Sequence, residues 1–115
     1  FEKFEVKLND ANGNLQRAVV DMAKEWRMDK MLKDLDALLA IMDSKSSYLL
    51  SGSGDVIEPD DQVISIGSGS GFAVSAARAF IKAGEMNPSK VVKQSLKIAA
   101  DLCIYTNDNI TIIEP

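Results

Sequence analysis

Between residues 37 and 66 the chain carries four short apolar runs separated by turns too short to hold a helix, and no other feature constrains the fold as strongly. Runs joined this tightly pair with their sequence neighbours in antiparallel fashion, because parallel pairing needs a crossover of a dozen residues or more. Residues 37–42 form a continuous apolar run, residues 43–46 a turn, and residues 48–51 a second run, which together predict a hairpin. Gly52 and Gly54 break the pattern before a short third strand over 56–58, ended by Pro59. Residues 60–62 turn the chain into a fourth run over 63–66.

Helical patterns flank this block. Asn14 is placed to cap a helix running to about Met28, with Leu15, Ala18, Val19, Met22, Ala23 and Trp26 at the three-and-four spacing of one buried stripe. Before it, Phe1, Phe4, Val6 and Leu8 alternate with Glu2, Lys3, Glu5 and Lys7 in what reads as a helix already under way, ended by a turn over 9–13. A helix that begins on a large apolar residue without a cap reads as cut, so the chain is expected to be a piece of a longer one. Residues 29–36 read as a helix end leading into the first strand.

After the strands, a helix is predicted over about 70–83, its Ala73, Ala76, Ala77 and Ala79 allowing close packing, with Gly84 as its stop. Asn87 caps the next helix and Pro88 takes its first position, where a missing N–H is harmless. Val91, Val92, Ser95, Ile98, Ala99 and Leu102 are its expected inner face, and residues 110–113 read as a last strand that must pair with a distant one. Strands clustered between helix pairs favour an α+β layered fold with an antiparallel sheet.

Composition removes several classes of function. A net charge of −4 with no basic stretch argues against a nucleic-acid or anionic-membrane surface. No apolar run approaches the length of a membrane span. The single cysteine, Cys103, cannot form an internal disulfide and fits a reducing compartment. With no histidine, the common zinc sites and His-dependent triads are excluded.

Two segments stand out for chemistry. The stretch Gly67-Ser68-Gly69-Ser70-Gly71 lies between a predicted strand and a predicted helix, where free N–H groups favour negative charge. It lacks a glycine at Phe72 for a dinucleotide loop and has no Walker lysine. A tight turn where side chains will not fit is the simpler reading; a third is that Ser68 presents its hydroxyl to a site built with other residues. The second segment, residues 100–107, falls at a helix C-terminus, where carbonyls three residues apart can converge on a hard cation. A plain C-terminal turn accounts for the same spacing, and Cys103 reads most simply as a packing residue. Trp26 is the expected core anchor, with Arg27 beside it in solvent. Asp55, Glu58, Asp60 and Asp61 read as a solvated acidic turn, with a cation site as the alternative.

Taken in order, Gly13-Asn14-Leu15, Ala23-Lys24-Glu25-Trp26-Arg27, Gly52-Ser53-Gly54-Asp55-Val56-Ile57-Glu58-Pro59, Ile66-Gly67-Ser68-Gly69, Ala76-Ala77-Arg78-Ala79, Leu96-Lys97-Ile98-Ala99-Ala100-Asp101 and Cys103-Ile104-Tyr105-Thr106-Asn107 resemble the HslV (ClpQ) family of proteasome-like threonine peptidases. Each phrase alone is weak; their joint order over nearly the whole chain is specific. The resemblance implies a proteasome-subunit-like (Ntn-hydrolase) four-layer sandwich, two antiparallel sheets between helix layers. Residues 1–115 would form the C-terminal two-thirds of a single peptidase domain, with its first strands and its nucleophilic N-terminal threonine upstream of Phe1. On that reading the 115 residues alone are expected to be inactive.

The resemblance also implies roles for particular residues. Ser68 matches the serine of the family's Gly-Ser-Gly turn, which supports the threonine's proton network. Ala100, Cys103 and Thr106 match the positions whose backbone carbonyls hold a sodium ion. Three positions depart from the family pattern: Ser70 where a second glycine is usual, Ala100 where glycine is common, and Met28 where threonine follows Trp-Arg. By the same resemblance, subunits form a homo-oligomer, a double hexameric ring, in the bacterial cytoplasm or in a eukaryotic organelle. Its partner is HslU (ClpY), a hexameric AAA+ ATPase that uses ATP and feeds in unfolded protein substrates, so this subunit binds no nucleotide. The alternative is a noncatalytic ring subunit or degenerate paralogue.

Overall fold

The computed structural model describes residues 2–29 and 38–114, which fall into two compact units, residues 1–64 and 65–115. The readings made for Phe1, for the helix end over 30–36 and for the strand start at residue 37 lie outside the described residues.

The first unit contains α1 (Glu2–Asp10), α2 (Leu15–Met28) and a three-stranded sheet of β1 (Leu38–Met42), β2 (Ser47–Ser51) and β3 (Val56–Ile57) in that spatial order. Both strand pairs are antiparallel, as the short turns require, with Leu39 opposite Leu50, Ile41 opposite Tyr48, and Leu50 opposite Val56. In the β1–β2 turn, Asp43 Oδ1 accepts from the N–H groups of Lys45 and Ser46, both at 2.8 Å. Gly54 turns β2 into β3 at φ +86°, where a Cβ would meet Arg27 Nε at 2.7 Å.

Asn14 caps α2 as expected, its Oδ1 accepting from Arg17 N–H at 3.1 Å. The stripe predicted from spacing becomes the core: Val19, Met22, Ala23 and Trp26 pack with Ile41, Tyr48 and Leu50, and Phe4, Leu15 and Leu39 close its margin. Side-chain period two puts Leu39 and Ile41 on one face of β1, and their cross-strand partners Leu50 and Tyr48 share that face. Leu50 and Val19 are fully buried, each worth about 1.5–3 kcal/mol relative to exposure.

The second unit is built on two helices, α3 (Ser70–Lys82) and α4 (Pro88–Leu102). Gly84, at φ +95°, ends α3: its N–H reaches Ile81 O and Glu85 N–H reaches Phe80 O, both at 3.0 Å. This paired closure is a Schellman motif, and it demands a left-handed residue after the helix. Asn87 Oδ1 then caps α4 through the N–H groups of Ser89 and Lys90, with Pro88 in the first turn. Ala73 and Ala77 of α3 and Val91, Ser95 and Ala99 of α4 are buried. The Ser89 hydroxyl also bonds Glu114, which ties the C-terminal segment to the start of α4.

Three expectations fail in this region. The runs over 63–66 and 110–113 are not strands, because neither finds a ladder partner among the described residues. A strand exists only as part of a ladder. The inner face of α4 is also narrower than predicted, since Val92 (45% exposed), Ile98 (37%) and Leu102 (60%) face outward. No described helix is long and apolar enough to cross a membrane.

Candidate functional site

The second unit brings the two chemically notable segments together. Gly67, at φ +109°, starts a turn closed by Ser70 N–H on Gly67 O at 3.1 Å, and α3 begins at once with Ala73 N–H on Gly69 O. Ser68 rides exposed on this turn, while Gly69 beneath it is buried. A Cβ on Gly69 would stand 2.5 Å from Thr106 Oγ1 and 3.4 Å from both Thr106 Cβ and Ala99 Cβ. Residue 69 is therefore glycine for a packing reason: the turn lies directly on the segment that follows α4.

That segment leaves the helix through Cys103, whose N–H bonds Ala99 O at 2.8 Å, and turns as Thr106 N–H bonds Cys103 O at 3.0 Å. The thiol of Cys103, half-buried and free, is held below the usual cysteine range. The Thr106 side chain contributes most to that lowering, followed by the N–H of Tyr105; the Ser68 side chain and the N–H of Thr106 add to it, against partial desolvation. Ser68, singled out for its hydroxyl, and Cys103 and Thr106, singled out for their carbonyls, thus share one small polar cluster. Ala100 sits half-buried one turn back on α4.

The cluster opens onto a cleft of ≈360 Å³ whose lining includes Ser68, Gly69, Ala99, Thr106, Asn107 and Ile110. None of its described lining residues is a carboxylate, lysine or arginine. Hydroxyl, amide and backbone groups of this kind bind and orient a polar reactant, but they supply no general base at neutral pH. Sequence reasoning treated Thr106 only as a carbonyl donor and gave no role to Asn109 or Thr111, which also line the cleft. Their shared polarity just past a helix end was the available signal. The acidic turn residues Asp55, Glu58 and Asp60 are exposed, as expected of a solvated face. Among the described residues, no three His, Cys, Asp or Glu side chains are grouped to hold a metal ion.

The sequence profile of the proteasome subunit family matches residues 9–114. The chain belongs to the proteasome subunit family. Within it, the chain is 50% identical over 113 residues to an ATP-dependent protease subunit HslV of Caldicellulosiruptor saccharolyticus, an alignment covering 98% of this chain. The crystal structure of eukaryotic HslV from Trypanosoma brucei superposes with a TM-score of 0.87 at 37% identity, over 93% of this chain. The fold is accordingly proteasome-like, helices with an antiparallel sheet, as the sequence resemblance implied. The chain spans 64% of the length of the curated relative and 62% of the solved structure it matches.

Proposed function

We propose that this chain is the larger part of the peptidase subunit of an ATP-dependent proteasome-like complex of the HslUV type, which degrades unfolded proteins with an N-terminal threonine nucleophile. The observation that carries the reading is the Ser68 turn seated on Thr106 beside a cleft with orienting groups and no base among its described lining residues. Such a site is complete only when nucleophile and base arrive together, and an N-terminal threonine brings both. Its hydroxyl attacks the peptide carbonyl while its own α-amino group takes the proton. The peptide C–N bond breaks as that proton passes to the leaving amine, and water then hydrolyses the threonyl ester to release the acyl product as an acid. On this reading the nucleophile is not among residues 1–115, and the two units are parts of one peptidase domain. Ser68 orients the hydroxyl and its proton and is not itself the attacking group.

The carbonyls of Ala100, Cys103 and Thr106 are the proposed sodium ligands. They lie at the negative end of α4, their oxygens suit a hard cation, and the Cys103 carbonyl keeps a second lone pair after accepting from Thr106. The assembly proposed is a double hexameric ring in the cytoplasm, opened by the ATPase HslU (ClpY), with ATP consumed by that partner alone.

The test uses the full-length protein with its ATPase. Ser68→Ala should slow peptide hydrolysis by roughly tenfold or more with the mass of the complex unchanged. Turnover at the parent rate would remove Ser68 from the mechanism. N-terminal sequencing of the assembled full-length subunit should return threonine; any other first residue favours the noncatalytic ring subunit. Exchanging sodium for a bulky organic cation should lower activity, and indifference would argue against the ion.

A further inference from the structure

The connection between α1 and α2 contains the one Asn-Gly pair of the chain, Asn12-Gly13, with both residues exposed. Asn-Gly is the dipeptide in which a backbone nitrogen most readily reaches the preceding side-chain amide, because glycine has no Cβ to obstruct the approach. The structure adds a restraint on that reaction. α1 ends in a complete Schellman motif: Asn12 N–H bonds Asn9 O at 3.1 Å, and Gly13 N–H bonds Leu8 O at 3.0 Å. Asn12 takes the left-handed position at φ +57°, which glycine fills at the end of α3. The nitrogen that would attack is therefore the one donating the outer bond of the helix cap.

We propose that Asn12 is a site of spontaneous deamidation whose rate is set by opening of the α1 cap. When the cap opens, Gly13 N loses its proton and bonds to Asn12 Cγ. The Cγ–Nδ2 bond breaks, ammonia leaves with that proton, and a succinimide ring closes. Water then opens the ring on either side. Cleavage of the new N–Cγ bond gives aspartate; cleavage at the main-chain carbonyl gives isoaspartate, with the backbone rerouted through the side chain. No oxidant is needed, and water is the only other reactant.

Both products act against the cap that delayed them. Aspartate puts a negative charge at the C-terminal, partially negative end of α1, close to Asp10. Isoaspartate lengthens the backbone between the two cap bonds, so both cannot form together. Asn14, the cap of α2, follows directly and is itself bonded to Ala11 O at 3.1 Å. Modification at Asn12 therefore loosens the joint that orients α1 on the core-bearing α2, and it acts as a one-way clock on this unit.

The experiment is peptide mapping by mass spectrometry of the folded chain, aged in mildly alkaline buffer, with isoaspartate scored separately. Conversion is expected at Asn12 ahead of Asn14, Asn107 and Asn109, on the order of tenfold faster in denaturant, where the cap is open. Phe4→Ala removes a side chain packed against the core from α1 and should speed conversion in native buffer. Asn12→Gly keeps a left-handed cap, removes the reactive amide and should abolish the mass change. Absence of conversion in the folded chain, equal conversion at the other asparagines, or a rate indifferent to both denaturant and Phe4→Ala would each overturn the proposal.

Discussion

Gly69 and Gly71 stand two residues apart in the same glycine-rich stretch, yet a methyl group at each meets a different environment. At 69 it meets Thr106 Oγ1 at 2.5 Å, with Thr106 Cβ and Ala99 Cβ close behind; at 71 nothing lies within 4 Å. Gly69→Ala should destabilise the second unit by about 1–3 kcal/mol, the usual overpacking penalty. If the full-length protein is the peptidase proposed above, the substitution should also lower its turnover, because the Ser68 turn is pushed off its support. Gly71→Ala, in the first turn of α3, should be neutral or stabilising by up to about 1 kcal/mol through helix propensity. Urea unfolding of the two variants checks the contrast, and equal effects would mean that Gly69 has no packing role. Residue-level features that depend on close sequence neighbours were legible: Asn14 and Asn87 as caps, Pro88 inside its helix, Gly84 as a stop. The stretch 67–71 was legible as a turn where side chains will not fit, and Gly69 bears that out; what presses on residues 54 and 69 was not. The crowding comes from Arg27 and Thr106, which are distant in sequence.

Among the elements, the β1–β2 hairpin was read with its turn in the correct place because Asp43 can satisfy that turn through its own side chain. Two N–H donors on the Asp43 carboxylate, from Lys45 and then Ser46, hold it below the ordinary aspartate range. A carboxyl whose native value is depressed stabilises the fold at pH above its unfolded value, and loses that contribution as pH falls through the native one. The amide resonances of Lys45 and Ser46 should therefore titrate together in acid, with a midpoint below the ordinary aspartate value, and Asp43→Ala should abolish the transition. A midpoint at the ordinary value would mean the turn is not held by this carboxylate in solution. The expected strands at 63–66 and 110–113 show the converse. Apolar runs record a tendency to be extended, but pairing is a property of two segments, and neither run forms a ladder with a described segment.

At the scale of the whole molecule, the α+β class and a strand block between two helix pairs followed from spacing, the runs at 63–66 and 110–113 excepted, but apolar spacing could not say what covers each apolar side chain. Val91 and Val92 make the point. Both were assigned to the inner face of α4, yet Val91 is 7% exposed and Val92 45%. A helical stripe looks the same in sequence whether it meets its own unit or another surface. Val91→Gln would bury an amide without a partner and should cost roughly 2 kcal/mol or more. Val92→Gln should change the stability of the chain by no more than about 0.5 kcal/mol. If the subunits build the ring proposed above, outward apolar positions such as Val92 are where assembly energy can reside. The same Val92→Gln substitution should then lower the assembled fraction at fixed concentration in sedimentation, with the unfolding curve unmoved. Loss of folding stability would put Val92 back in the core of its own unit, and unchanged assembly with unchanged stability would take it out of the subunit contact.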